Sequence, residues 1–501
     1  MGFMEISKAL LNKTFTENGD VAFSSTGSSC LDYFGLIGGK RNELKGAAIL
    51  FADALSEDVP TAVKLLFYTR DARKGIGERR LFRFLFNGLS QAYPTIAEPL
   101  LPFIPKFGRY DDLLCVFGTP LESQAIELIE DQLQKDLEAK KEGKPISLLA
   151  KWLPSINTSN GETRQYALAL SKKLGMSPAE YRKTLSYLRK GLIVENNLRE
   201  KDYEFDYAKV PSLAMQKYQK AFTRNDGSRF YHYLDDVRNG KEKMNTAVSD
   251  VVSFIVRLRE EEKNSSFNKE YFETAWNEFV KGGSIKKKTL VVRDGSGSML
   301  WGAGSTRPID VADAMAMLTA ARLQGSFKDK FVTFSDNPQF VDLSNEKTLC
   351  EKYHKLKRFN DYSSTDIHKV YQLILDVYQD PSFQKEDALD QILIISDMQF
   401  NMLPLADMNG GLKSTFQWFD EEFKKIGYAR PEVVFWNVNS RNNTLPIGDD
   451  GRGVKLVSGA SKNIINMVSM TDSLDAKEFM MKTLEAYQEV ADALPKEVQN
   501  E

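Results

Sequence analysis

Five oxygen-bearing side chains in three separate stretches could hold a hard divalent cation. In "LVVRDGSGSML", Leu290 to Leu300, an apolar run ends in Asp294, and Ser296 and Ser298 follow at i+2 and i+4 with glycines between them. One carboxylate and two hydroxyls at that spacing can turn into a single loop concavity, which the glycines leave unobstructed. "DYSSTDIHKV" sets Thr365 and Asp366 just before a helical pattern, and "ILIISDMQF" sets Asp397 after an apolar run. Mg²⁺ takes oxygen ligands in octahedral geometry, few of them from protein and the rest water. Mn²⁺ or Ca²⁺ would draw on the same donors.

Other chemistries fit these residues less well. "DGSGSM" lacks the Lys of the phosphate-binding GxxxxGK[ST] loop. A Mg²⁺-dependent phosphatase of the haloacid-dehalogenase type needs Asp-x-Asp, with the second acid moving protons, and Ser296 occupies that second position. No Cys–His or Ser–His–Asp arrangement is evident. The plain alternative is a Gly/Ser turn whose aspartate caps a helix. The expectation is a binding site and not an enzyme.

These stretches need a scaffold that brings them to one edge. From Lys288 onward, short apolar β-rich runs alternate with helical patterns. Strands are expected at 288–293, 330–335, 391–396, 431–438 and 453–458, with helices near 308–323, 366–379, 412–426 and 460–470. Such alternation predicts an open, mostly parallel, doubly wound sheet covered on both faces. Ligands bind such sheets beyond the carboxyl ends of the strands, where Asp294 and Asp397 would emerge.

Asp-x-Ser-x-Ser after a first strand, then Thr365, then Asp397 after a buried strand, resembles the metal-ion-dependent adhesion site of the von Willebrand factor A domain over residues 286–475. The resemblance implies a Rossmann-like fold. It also implies Asp294, Ser296, Ser298, Thr365 and Asp397 as metal residues, the last through water, and an open metal position that takes a carboxylate from a protein partner. Arg293 departs from that pattern, standing where an apolar residue is commoner. "SDMQF" departs from it too, replacing the usual Asp-Gly turn. His368, on the first turn of the following helix, reads as a surface residue.

The preceding part reads differently. From Leu44 to Val280, apolar residues recur at spacings of three and four, as in "ERRLFRFLFNGLSQAY". "KGIG", "AYPT", "FGRYDD", "EGKP" and "GMSP" break the pattern at helix-pair lengths, and "KGGSIKKKTL" (281–290) ends it. Stacked helical pairs, an α-solenoid of HEAT-like repeats that is curved or ring-like, are expected. Helical repeats followed by an A-type domain are similar to the Ro ribonucleoprotein (TROVE-module) architecture. "LLFYTRDARKGIGERRLFRFLF", "IPKFGRYDDLL" and "VPSLAMQKYQKAFTRND" are closer to an uncharacterised family with that layout. The resemblance implies a hold on small structured RNA. Cations interleaved with aromatic residues would serve it: Arg73, Lys74, Arg79, Arg80, Arg109, Arg182, Lys183, Lys190, Lys217, Lys220, Arg224 and Arg229. Solvated helix faces carry similar runs, so a protein-interaction adaptor without RNA affinity is the alternative.

Composition sets the outer bounds. The 501 residues are 42% hydrophobic and 27% charged, with net charge −2, as in a multi-domain globular chain. Residues 151–290 carry 26 Lys+Arg against 18 Asp+Glu, and residues 291–501 carry 23 against 31. That bias is too mild for an obligate nucleic-acid binder, and no DNA partner is expected. Three scattered cysteines and three scattered histidines argue against zinc and disulfides. With no membrane-length apolar run and no secretory pattern, a cytoplasmic location is expected. The division drawn is an N-terminal extension (1–25), a helical-repeat domain (26–285), an α/β domain (286–475) and a C-terminal helix or tail (476–501).

Overall fold

The computed structural model describes residues 12–15, 21–246, 251–264, 267–301, 306–360, 365–399, 405–406, 412–413, 415–440, 442–447, 453–470 and 475–499. From Ser29 to Lys281 the structure is mostly helical. In the Arg79–Ala92 helix, Leu81, Phe82, Leu85, Phe86 and Leu89 are buried at the spacing of one helical face. Local signals set the helix starts. Asp58 accepts from Thr61 N at 2.5 Å ahead of the Val59–Arg70 helix. Ser177 and Glu180 form a capping box at the head of the Pro178–Arg189 helix.

The sheet unit is built from six strands: β3 (Thr289–Asp294), β4 (Lys330–Phe334), β5 (Phe340–Asp342), β6 (Gln391–Ser396), β9 (Glu432–Asn437) and β10 (Val454–Ser458). Short antiparallel ladders β1–β2 (Lys13–Phe15, Val21–Phe23) and β7–β8 (Leu405–Ala406, Leu412–Lys413) lie outside it. The strand order is β10-β9-β6-β3-β4-β5, parallel except for β5. All six residues of β6 are buried, as expected of a central strand covered on both faces. The five predicted strands form within one or two residues of their expected limits. Edge strand β5, at three residues too short to carry a period, was not foreseen, and neither were the Leu349–Lys357 helix and the β1–β2 hairpin.

Both ends of the helical region rest on this sheet unit. The Pro308–Arg322 helix, buried along its whole length, packs on β3 and against the Val251–Glu261 and Lys269–Lys281 helices. At the far edge, the Ser29–Leu36 helix and the Ala476–Leu484 helix pack on β10. Backbone contact there is close. Gly38 N donates to Ser458 Oγ at 2.9 Å, Ser458 Oγ donates to Phe34 O at 3.1 Å, and Ser440 Oγ donates to Leu36 O at 2.9 Å. A Cβ on Gly38 would lie 2.3 Å from the Ser458 carbonyl carbon, and one on Gly39 would lie 2.4 Å from Ser440 N. These glycines serve close approach and not a special turn. Gly39→Ala is therefore expected to cost about 1–3 kcal/mol as an overpacking change, measured by urea denaturation. A loss under about 0.5 kcal/mol, as at an ordinary surface position, would refute a tight seam.

Candidate metal centre

Asp294 is the last residue of β3 and Ser396 the last of β6, its neighbour. β4 lies on the other side of β3, so connections leave this point in opposite directions and the carboxyl ends of β3 and β6 face a crevice. Within it, Ser396 Oγ donates to Asp294 Oδ2 at 2.5 Å and Ser296 N donates to Asp294 Oδ1 at 2.9 Å. The hydroxyls of Ser296 and Ser298 lie 3.1 Å apart. The second and third loops are joined: Thr365 Oγ1 donates to the Gln399 carbonyl at 3.3 Å, and Gln399 N donates to Asp397 Oδ1 at 3.4 Å. Asp294, Thr365 and Asp397 are buried to within 2% of full. Asp366 takes a different part, capping the Ile367–Gln379 helix. His368 is half-buried, its ring 5.2 Å from that of Phe419.

Burial sets the charge balance of the cluster. Burial pushes the Asp294 carboxyl above the ordinary carboxylate range, and the Ser396 and Ser296 hydrogen bonds only partly oppose this. A divalent ion bound beside it would favour the charged carboxylate. Among the described residues no group of three or more His, Cys, Asp or Glu gathers at one place. A cation here would therefore rest on a mixed carboxylate and hydroxyl set, which suits Mg²⁺ with water completing the octahedron.

Two sets of supporting hydrogen bonds, those of Ser396 and those of Arg293, have no signal in the sequence. Ser396 reads as the end of an apolar strand, yet it also accepts from Met398 N at 3.1 Å and so ties the third loop to Asp294. Arg293, fully buried, pairs through Nε with Asp313 Oδ1 at 2.9 Å and reaches Asn360 Oδ1 at 2.7 Å, on the segment leading to Thr365. A Cβ at Gly295 would meet Arg293 Nη1 at 2.7 Å, which explains the glycine that follows Asp294. The missing Asp-Gly turn is resolved locally. Met398 adopts φ +63, a conformation that glycine reaches without strain and that costs other residues about 1–2 kcal/mol.

The cations named for RNA divide into two groups. "TRDARKGIGERR" and "KFGRYDD" meet in a structural network. Buried Asp112 takes Arg70 at 2.6 Å and Arg83 at 2.6 Å, while Asp111 takes Arg109 at 2.5 Å and lies 3.9 Å from Arg79. Arg109 also stacks 3.9 Å over Trp152. Arg73 donates to the Lys106 carbonyl, Lys220 pairs with Glu261, Arg229 bonds Asp226 and Phe205 O, and Lys217 lies over Tyr218. Lys74, Arg80, Arg182, Lys183, Lys190 and Arg224 are exposed, with no ion pair of their side chains among the described residues. Tyr181 is buried and donates to Pro154 O at 2.9 Å, whereas Tyr187 on the same helix is 45% exposed.

The class so defined is a mostly helical region joined to a six-stranded mixed sheet, with a carboxylate–hydroxyl cluster at the sheet's switch point. Residues 288–500 match the model of a domain of unknown function, DUF7788, and residues 16–104 and 161–288 match another, DUF2828. An uncharacterized protein of Acanthamoeba polyphaga mimivirus is 29% identical over 523 residues, a match covering 95% of this chain and 88% of that protein. The crystal structure of the Ro (RSR) protein of Deinococcus radiodurans aligns over 92% of this chain and all of that one, at 13% identity and a TM-score of 0.35. Among the described residues no helix is long and apolar enough to cross a membrane.

Proposed function

We propose that the chain is a binding protein whose sheet unit, of the von Willebrand factor A type, holds Mg²⁺ on Asp294, Ser296, Ser298, Thr365 and, through water, Asp397, and offers the ion to a carboxylate of a protein partner. The observation that carries this reading is the cluster at the β3–β6 crevice, where a buried carboxylate with a raised pKa stands beside paired hydroxyls. The strand order, with the loop after β3 at the switch point, supports it as well. No second acid accompanies Asp294 at the Asp-x-Asp position, so the reading is non-catalytic. Calorimetric titration with Mg²⁺ tests it: one site that EDTA strips is expected, and absence of binding would refute it.

For the helical region the reading is RNA, and one surface favours it. On the Pro178–Arg189 helix, Tyr181, Leu185 and Leu188 are buried, while Arg182, Lys183 and Tyr187 face solvent and Lys190 follows. An exposed ring between cations can stack an unpaired base while the cations meet phosphates. Affinity for a small structured RNA with a single-stranded 3′ end should fall steeply with salt and be indifferent to chelator. The salt slope should drop by about one for each of Lys183→Ala and Lys190→Ala, and Tyr187→Ala should cost about 1–3 kcal/mol. Fluorescence anisotropy across a salt series measures both. No binding at low salt would leave the adaptor reading, in which the metal site alone takes a partner.

A further inference from the structure

Residues 438–440 and 442–445 touch the candidate metal centre on one side and the N-terminal part of the chain on the other. Toward the site, Val438 N donates to the Ser396 carbonyl at 3.0 Å, and Gln399 Nε2 donates to Thr444 Oγ1 at 3.4 Å. Gln399 is the residue through which Thr365 and Asp397 meet. Away from the site, Leu445 exchanges backbone hydrogen bonds with Phe23 at 3.0 and 2.9 Å. Ser440 N donates to Gly39 O at 3.3 Å, and Ser440 Oγ donates to Leu36 O at 2.9 Å. One short stretch of chain thus shares its polar groups between the third site loop and the seam that holds the start of the helical region to the sheet.

We infer that occupancy of the metal site regulates this seam: a bound cation fixes the third loop, Gln399 passes that order to Thr444 and its neighbour Leu445, and the N-terminal strand and helix dock more firmly. This rests on the metal reading above. The seam is where the first helices of the helical region meet the sheet, so the coupling would give a cation, or the carboxylate that completes its coordination, control over whether that end of the region is held or released. Coupling through a shared element must be reciprocal in binding free energy. Loosening the seam should weaken the cation by the factor through which the cation tightens the seam.

Hydrogen exchange read by mass spectrometry on the full chain, with and without Mg²⁺, tests the inference, with calorimetry on the same samples reporting binding. In the wild type, Mg²⁺ should slow exchange at 293–300 and 396–399, and also by at least about fivefold at 21–24 and 36–45, the lower end of usual coupling strengths. Asp294→Asn should lose both effects. Gln399→Ala, which keeps every proposed metal residue, should keep the first and lose the second. Slowing confined to the metal loops while Mg²⁺ binds would overturn the coupling and leave the metal site standing. Calorimetry showing no Mg²⁺ binding at all would overturn both.

Discussion

Replacing Arg293 with methionine should destabilise the protein by about 3–5 kcal/mol, the usual cost of breaking a buried ion pair from one side. The guanidinium is fully buried and Asp313, its partner, is 3% exposed. Burial already pushes the Asp313 carboxyl up, and Arg293 is the first of the influences that hold it down. Without Arg293, a carboxylate stays in the core between β3 and the Pro308–Arg322 helix with little to balance it. Adding Asp313→Leu in the same chain should recover most of the loss, because well-packed apolar pairs replace buried ion pairs at little cost or with gain. Urea denaturation of the single and double variants gives both numbers. A single variant within about 1 kcal/mol of wild type would mean that the pair contributes little and that Arg293 is tolerated there, not needed.

Asp294→Asn should act in the opposite way: large on the metal, small on the fold. Mg²⁺ affinity is expected to drop more than about a hundredfold, beyond what loss of a merely supporting hydrogen bond costs a metal site. The amide keeps the shape, and the Ser396 hydroxyl can accept from it as readily as it donates to the carboxylate. The pH dependence follows from the raised pKa of Asp294. A carboxyl whose folded-state pKa lies above its ordinary 3.8 favours the fold while protonated, and that contribution is lost as pH rises through the raised value. Above that range, metal-free wild type should melt below the Asn variant, and saturating Mg²⁺ should reverse the order. Thermal melts of both proteins from pH 4 to pH 8 would show this. A variant that binds Mg²⁺ as tightly as wild type would remove Asp294 from the site.

How much of this was readable beforehand depends on how far apart the cooperating residues lie. Asp294, Ser296 and Ser298 announce themselves because glycine spacing and a preceding apolar strand sit within eleven residues. Thr365 and Asp397 follow once strand ends are located by period. Ser396 does not, because a serine closing an apolar strand has no local signal of its role. Arg293 stood out as a charge in an apolar strand, but its partners, 20 and 67 residues away, depend on how the helix and the second loop fold back. The arginines around "GIGERR" and "FGRYDD" hide their ion pairs to different degrees: Arg79 lies near Asp111 of the other motif, whereas Arg109 pairs with Asp111 inside its own. Gly38 and Gly39 carry no local signal of their role, and only the opposing serines of a distant strand and loop reveal the contact.

That contact has a consequence for how the chain is made. Gly38 and Ser458 are 420 positions apart. Ribosomes add about 5–20 residues per second, so Leu456 and Phe479, which lie against Gly35 and Phe34, emerge on the order of 20–90 s after them. Throughout that interval Phe34 has Tyr68 beside it but lacks Phe479. The nascent chain is thus open to holding factors until its last strand is translated, and truncation before β10 should leave a soluble yield far below that of the full length.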